Sequence, residues 1–105
     1  MNEETIMAPA NIDADFVIRC GDNSMMNARL FEGDTVFVKS CKDVEDGQIA
    51  VIQIDGEYCM RRVYHGSDYF ELRAENPKYP PIIIRGIHEK AKIIGRVVKA
   101  WCNVN

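Results

Sequence analysis

The segment "CGDNSMMNARLFEGDTVFV", from Cys20 to Val38, sets a serine where a nucleophile could sit. Ser24 follows a Gly21-Asp22-Asn23 bend and precedes Met25 and Met26; the Gly33-Asp34 turn then leads into a β-branched run. A serine hydroxyl is a weak nucleophile until a neighbouring base takes its proton, so covalent chemistry at Ser24 needs a partner from elsewhere in the chain. An imidazole could serve, as could a lysine whose pKa burial lowers toward neutrality. His65 and His88 are ordinary candidates, but both fall in apparent loops. Lys39 and Lys42 close the strand after Gly33-Asp34, and Lys78, Lys90, Lys92 and Lys99 occupy turns or the last strands. None of these lysines has the apolar alternation that would bury an amine beside Ser24, although Lys39 stays open as a substitute base.

The elements that must position Ser24 read as strands. "DFVIRC", "DTVFVKS", "QIAVIQID", "EYCMRRVYH", "YFELRAE", "PIIIR" and "KIIGRVVKAWCNV" are rich in Val, Ile, Tyr and Phe and are separated by Gly, Asp, Asn or Pro. Asp55-Gly56 predicts a two-residue hairpin, because both residue types tolerate positive φ; "YHGSDYF" predicts a second. "NSMMNARL" alone suits a short helix, with Asn23 or Ser24 as N-cap. The expectation is an all-β domain, its sheets curled around one core, with at most one short helix.

The totals bound the rest. A chain of 105 residues with a 47% apolar share is one domain's worth and can bury a core without staples. The first fourteen residues, "MNEETIMAPANIDA", read as a polar arm or linker, leaving residues 15–105 as the domain. The 13 basic residues are scattered and outnumbered by 16 acidic ones, for a net charge of −3, which argues against a nucleic-acid footprint on this chain. Cys20, Cys41, Cys59 and Cys102 show neither a Cys-x-x-Cys pair nor a histidine at ligand spacing. Buried free thiols in a reducing cytosol, with no metal and no cofactor, are the reading. No apolar run approaches the ~20 residues of a membrane span, and no signal-peptide pattern opens the chain. A cytoplasmic protein without membrane contact is expected.

Four ordered blocks, "GDNSMMNARLFEGDTVFV", "EDGQIAVIQIDGEYCMRRVY", "AENPKYPPIII" and "IIGRVVKAW", resemble the LexA-like repressors. These are S24-type serine peptidases that include phage repressors of the CI kind and UmuD-like proteins. The resemblance covers roughly residues 15–102 and implies a partly open barrel of the LexA C-terminal type. It further implies a regulatory domain that dimerises a repressor and cleaves the repressor's own linker on RecA filaments through a serine nucleophile and a lysine base. DNA would be bound only by a separate N-terminal helix-turn-helix domain. No such pattern occurs here, so the chain reads as an excised domain or a stand-alone relative. Ser24 falls on the nucleophile position, with Asp22 and Asn23 in the cleft and Met25 either lining the cleft or in the core. "AENPKYPPI" either helps frame that cleft or merely connects two strands. Trp101 is a candidate dimer anchor or a plug for the end of the barrel.

The base position falls on Arg61, in "EYCMRRVY", with Arg62 following. A guanidinium is not deprotonated in proteins; lowering a pKa of ~13 to 7 would cost roughly 8 kcal/mol, comparable to a small domain's whole stability. Asp22 and Asn23 stand where relatives usually have Gly and Asp or another small pair; Arg61 is either a plain exposed strand residue or fills the lysine site and bonds Ser24 or Asp22, the latter as an ion pair. Relatives cut an Ala-Gly or Cys-Gly bond well upstream of the serine. Cys20-Gly21 lies too close to Ser24 on the same strand to fold back onto it. Three readings therefore stand together. One is a dimerising repressor domain with self-cleavage lost or impaired, whose partners are a second copy, through the C-terminal strands, and the RecA filament. Another is an active self-peptidase with a substitute base. The last is a mechanistically unrelated β module, chaperone-like or peptide-binding.

Overall fold

A computed structural model describes residues 11–86 and 91–102. All seven expected strands form: β1 (Phe16–Arg19), β2 (Thr35–Ser40), β3 (Ile49–Ile54), β4 (Glu57–His65), β5 (Tyr69–Arg73), β6 (Ile82–Arg85) and β7 (Ala91–Trp101). They make one curled antiparallel sheet in the order β1-β2-β7-β3-β4-β5-β6. The last strand enters between the second and third, so the chain's two halves are knitted through β7. The fold is all-β, as the alternation predicts.

Asp55 and Gly56 both adopt positive φ, 50° and 83°, and Ile54 pairs with Glu57 across the turn. The strand β7 carries two bulges. Its pairing slips at Phe37/Val38 of β2 and at Val51/Ile52 of β3, leaving Val98 and Ile94 as the extra residues. Bulges sharpen local twist and help a sheet curl. Gly95 sits beside the second, where β2 comes so close that an added Cβ would lie 2.7 Å from the Lys39 carbonyl oxygen and 2.5 Å from Val38 Cγ1.

Alternation divides the buried residues between two clusters. Val36, Val38, Val51 and Met60 join Ile18, Met25 and Leu30 in one. Ala50, Ile52, Val63, Leu72 and Ile84 form the other. The first cluster encloses the root of the serine segment, since Met25 is fully buried directly after Ser24. Trp101 is half exposed, 47%, with its ring edge-on to buried Phe37 at 4.7 Å.

The "NSMMNARL" segment folds into a single 3-10 turn, Met26–Ala28. The expected cap is corrected here: Met25 holds the N-cap position and no side chain caps the turn. The Asn23 side chain instead accepts from Glu32 N at 2.9 Å. Residues 1–10 of the expected arm lie outside the described residues.

Candidate functional site

Ser24 is held by its own bend and by the loop between β5 and β6. Asp22 Oδ1 accepts from Ser24 N at 2.9 Å, the self-bonding by which an Asp stabilises a turn. From the loop, Glu75 N donates to the Ser24 carbonyl at 2.8 Å and Glu75 O accepts from Asn27 N at 2.9 Å. Asn76, itself buried, donates from Nδ2 to the Asn23 carbonyl at 2.9 Å. Arg62 secures this loop in turn, with Nε paired to the Glu75 carboxylate and Nη1 donating to Gly47 O at 2.7 Å. "AENPKYPPI" therefore frames the serine rather than merely linking two strands. The two residues responsible, Glu75 and Asn76, were not singled out from sequence; a polar pair ahead of Pro77 resembles ordinary loop chemistry.

Arg61 comes from the middle of β4, where it pairs with Ala50 of β3. Its side chain is only 7% exposed and Ser24 only 1%. Arg61 Nη1 donates to Ser24 Oγ at 2.8 Å and to its neighbour's carbonyl, Met60 O, at 2.7 Å. Nε is buried without a partner. The Tyr79 ring lies over the guanidinium, its centroid 5.6 Å from Cζ.

The expected ion pair between Asp22 and Arg61 does not form, because the Asp22 carboxylate is turned back onto the Ser24 amide. Among the described residues, no carboxylate forms a salt bridge with the Arg61 guanidinium. The site is thus a buried cation donating to a hydroxyl. A small cavity of about 60 Å³ opens beside it between β1, β3 and β4, bounded by Ile18, Asp22, Val51, Cys59 and Met60. Burial pushes the Cys20 and Cys59 thiols up, against thiolate formation. Of the four cysteines expected to be buried, Cys20 alone fully is; Cys102 is exposed.

Two of the other candidate bases, Lys39 and His65, are engaged elsewhere. Lys39 Nζ donates to Asp13 at 2.9 Å, and that bond, with the charges of Asp13 and Asp15, raises its pKa, the wrong direction for a base. His65 closes β4 rather than lying in a loop, and its two ring nitrogens face Asp46 and Asp43. Lys42 and Lys92 line a separate cleft with His65. Lys90 and His88 lie outside the described residues. Among the described residues, the hydrogen-bond partner of Ser24 Oγ is Arg61.

The profile of the family described as Peptidase S24-like matches residues 2–98. Among individual relatives, LexA repressor 2 of Geobacter sulfurreducens is 42% identical over 83 residues, covering 79% of this chain and 41% of its own length. The LexA repressor of Caldicellulosiruptor saccharolyticus is 34% identical over 99 residues, 90% of this chain and 48% of that protein. The LexA repressor of Bacillus thuringiensis is 35% identical over 98 residues, again 48% of its length. The chain spans less than half the length of the curated relatives it matches.

Proposed function

The chain belongs to the Peptidase S24-like family, as a LexA-like S24 domain, and from that premise we propose that it is the regulatory and dimerising domain of a LexA- or phage-CI-like repressor whose self-cleavage is silenced at Ser24. In this reading residues 15–105 are the working domain and residues 1–14 the arm that leads into it. Its partners are a second copy, met through the C-terminal strands, and the RecA filament of an SOS-type response in the cytoplasm. DNA is bound by a separate N-terminal domain.

One observation carries the silencing. The atom 2.8 Å from Ser24 Oγ is a guanidinium nitrogen, a donor without a lone pair to accept the hydroxyl proton. A hydrogen bond donated to Oγ draws electron density away from the oxygen, and the adjacent positive charge can stabilise an alkoxide only after some other group has removed the proton. Among the described residues Ser24 has no such neighbour. In this reading the serine is placed and oriented, but among the described residues no hydrogen-bonded neighbour of Oγ can take its proton.

The test uses a repressor carrying this domain, incubated with activated RecA filaments or at alkaline pH. The wild-type linker should stay intact, and R61K should cut it in a reaction abolished by adding S24A. Wild-type cleavage that S24A abolishes would instead establish an active peptidase with another base.

A further inference from the structure

We propose that the Arg61–Ser24 pair is a receptor for a peptide carboxylate, so that the cleft holds a chain end in the place where an active relative would generate one. The inference rests on the reading of Ser24 as the nucleophile position.

A buried cation without a counter-charge is costly, because its hydration is surrendered with no ionic partner in return. Arg61 is buried, and no carboxylate among the described residues pairs with it. Its compensation among the described residues is neutral: Ser24 Oγ and the Met60 carbonyl, both on Nη1, and the face of the Tyr79 ring. Nε and Nη2 donate to nothing among the described residues, and Nε is sealed from solvent. Ser24 Oγ already accepts one bond from Arg61, and its own proton remains free to donate. A guanidinium and a hydroxyl with unspent donors, 2.8 Å apart, match a group that only accepts and carries negative charge. A carboxylate fits, since it only accepts and brings the negative charge that the buried cation lacks.

The location selects a peptide as the source. A serine peptidase attacks a carbonyl carbon, and hydrolysis of the resulting ester releases the upstream fragment with a new carboxylate beside the serine oxygen. With lysine at the base position that carboxylate would meet an amine that has just acted as a base. With Arg61 it meets a fixed cation. Asp22 is the nearby negative charge that could oppose binding, and its Oδ1 is engaged by the Ser24 amide. The Tyr79 ring lies over the guanidinium, its centroid 5.6 Å from Cζ.

The experiment follows the Arg61 Nε–Hε resonance of this 105-residue chain by NMR while sodium acetate is added. A saturable shift is expected at Arg61, and chloride at equal ionic strength should not reproduce it. Two peptide arms identify the source: a peptide with a free C-terminus against its C-terminal amide, and an end-blocked peptide with an internal glutamate. Tighter binding of the free C-terminus by roughly tenfold over the amide assigns a chain end; equal binding of the glutamate peptide assigns an acidic side chain and overturns the chain-end form of the proposal. R61Q should weaken the tighter peptide roughly 10- to 100-fold. Unchanged affinity in R61Q, or no saturable shift in the wild type with acetate and both peptides, overturns the receptor altogether. If R61Q does not fold, the wild-type titrations decide. Linker cleavage is read separately, so a domain that cuts but does not bind carboxylate refutes both claims by different measurements.

Discussion

Replacing Arg61 by lysine puts a titratable amine where a permanent cation stands, and the structure sets the size of the effect. The position is 7% exposed, and no carboxylate pairs with it among the described residues. The acceptors within reach are a hydroxyl and a main-chain carbonyl. Desolvation therefore outweighs attraction, and buried lysines have pKa values as low as about 5–6. With two acceptors retained, we expect the introduced amine near pH ~7, some three units below the ordinary ~10.4 and worth about 4.6 kcal/mol. A small domain holding roughly 5–15 kcal/mol can survive that. The sign follows from the direction of the shift. An amine whose folded pKa is depressed penalises the fold at every pH below its unfolded value, with the full penalty below its folded value. R61K should therefore be least stable in acid and recover between about pH 7 and about pH 10.4. The measurement is urea unfolding of R61K and wild type across that range, alongside carbon NMR of the introduced amine. An amine titrating at its ordinary value in a folded R61K would show that the pocket does not desolvate its occupant, and the explanation of why lysine could work here would fall.

Three other outcomes follow. G95A should cost about 1–3 kcal/mol, read as a lower urea midpoint, because its Cβ meets the Lys39 carbonyl oxygen of the adjoining strand; an unchanged midpoint would mean that β2 yields without strain. D22A should lose roughly 1 kcal/mol through the broken bond to the Ser24 amide, without disturbing the Arg61 side-chain resonances; a large Arg61 shift would restore the discarded ion pair. His65 bonds Asp43 and Asp46 through its two ring nitrogens, which raises its pKa above 6.5 and lowers theirs. Its stabilising contribution should be complete below pH 6.5 while both carboxylates stay ionised, fading as pH rises through the raised folded value. H65N should erase that slope in melting temperature against pH, even with Lys42 and Lys92 lining the same cleft; a slope that persists would place the titration elsewhere.

The strands were legible because β-branched alternation is a local signal, and the Asp55-Gly56 hairpin because its residue types are suited to the backbone angles found. The bulges at Ile94 and Val98 were not: an extra apolar residue in an apolar strand changes no pattern. Arg61 shows how charge can mask a core position. It shares its period with the buried Val63, yet its chemistry suggests a surface. Asp22 was placed near its cation by charge logic, whereas a nearer main-chain amide took the carboxylate. Glu75 and Asn76 hold Ser24 chiefly through backbone groups, whose direction depends on the fold as a whole.

The most direct test of the proposed silencing is the reactivity of Ser24 in the unaltered chain. Exposed to a fluorophosphonate and weighed intact, the wild type should gain no adduct at Ser24 from about pH 6 to about pH 10, while folded R61K becomes labelled as its amine loses its proton. An adduct on wild-type Ser24, formed at a rate that follows the titration of a single group, would mean that the proton has found an acceptor.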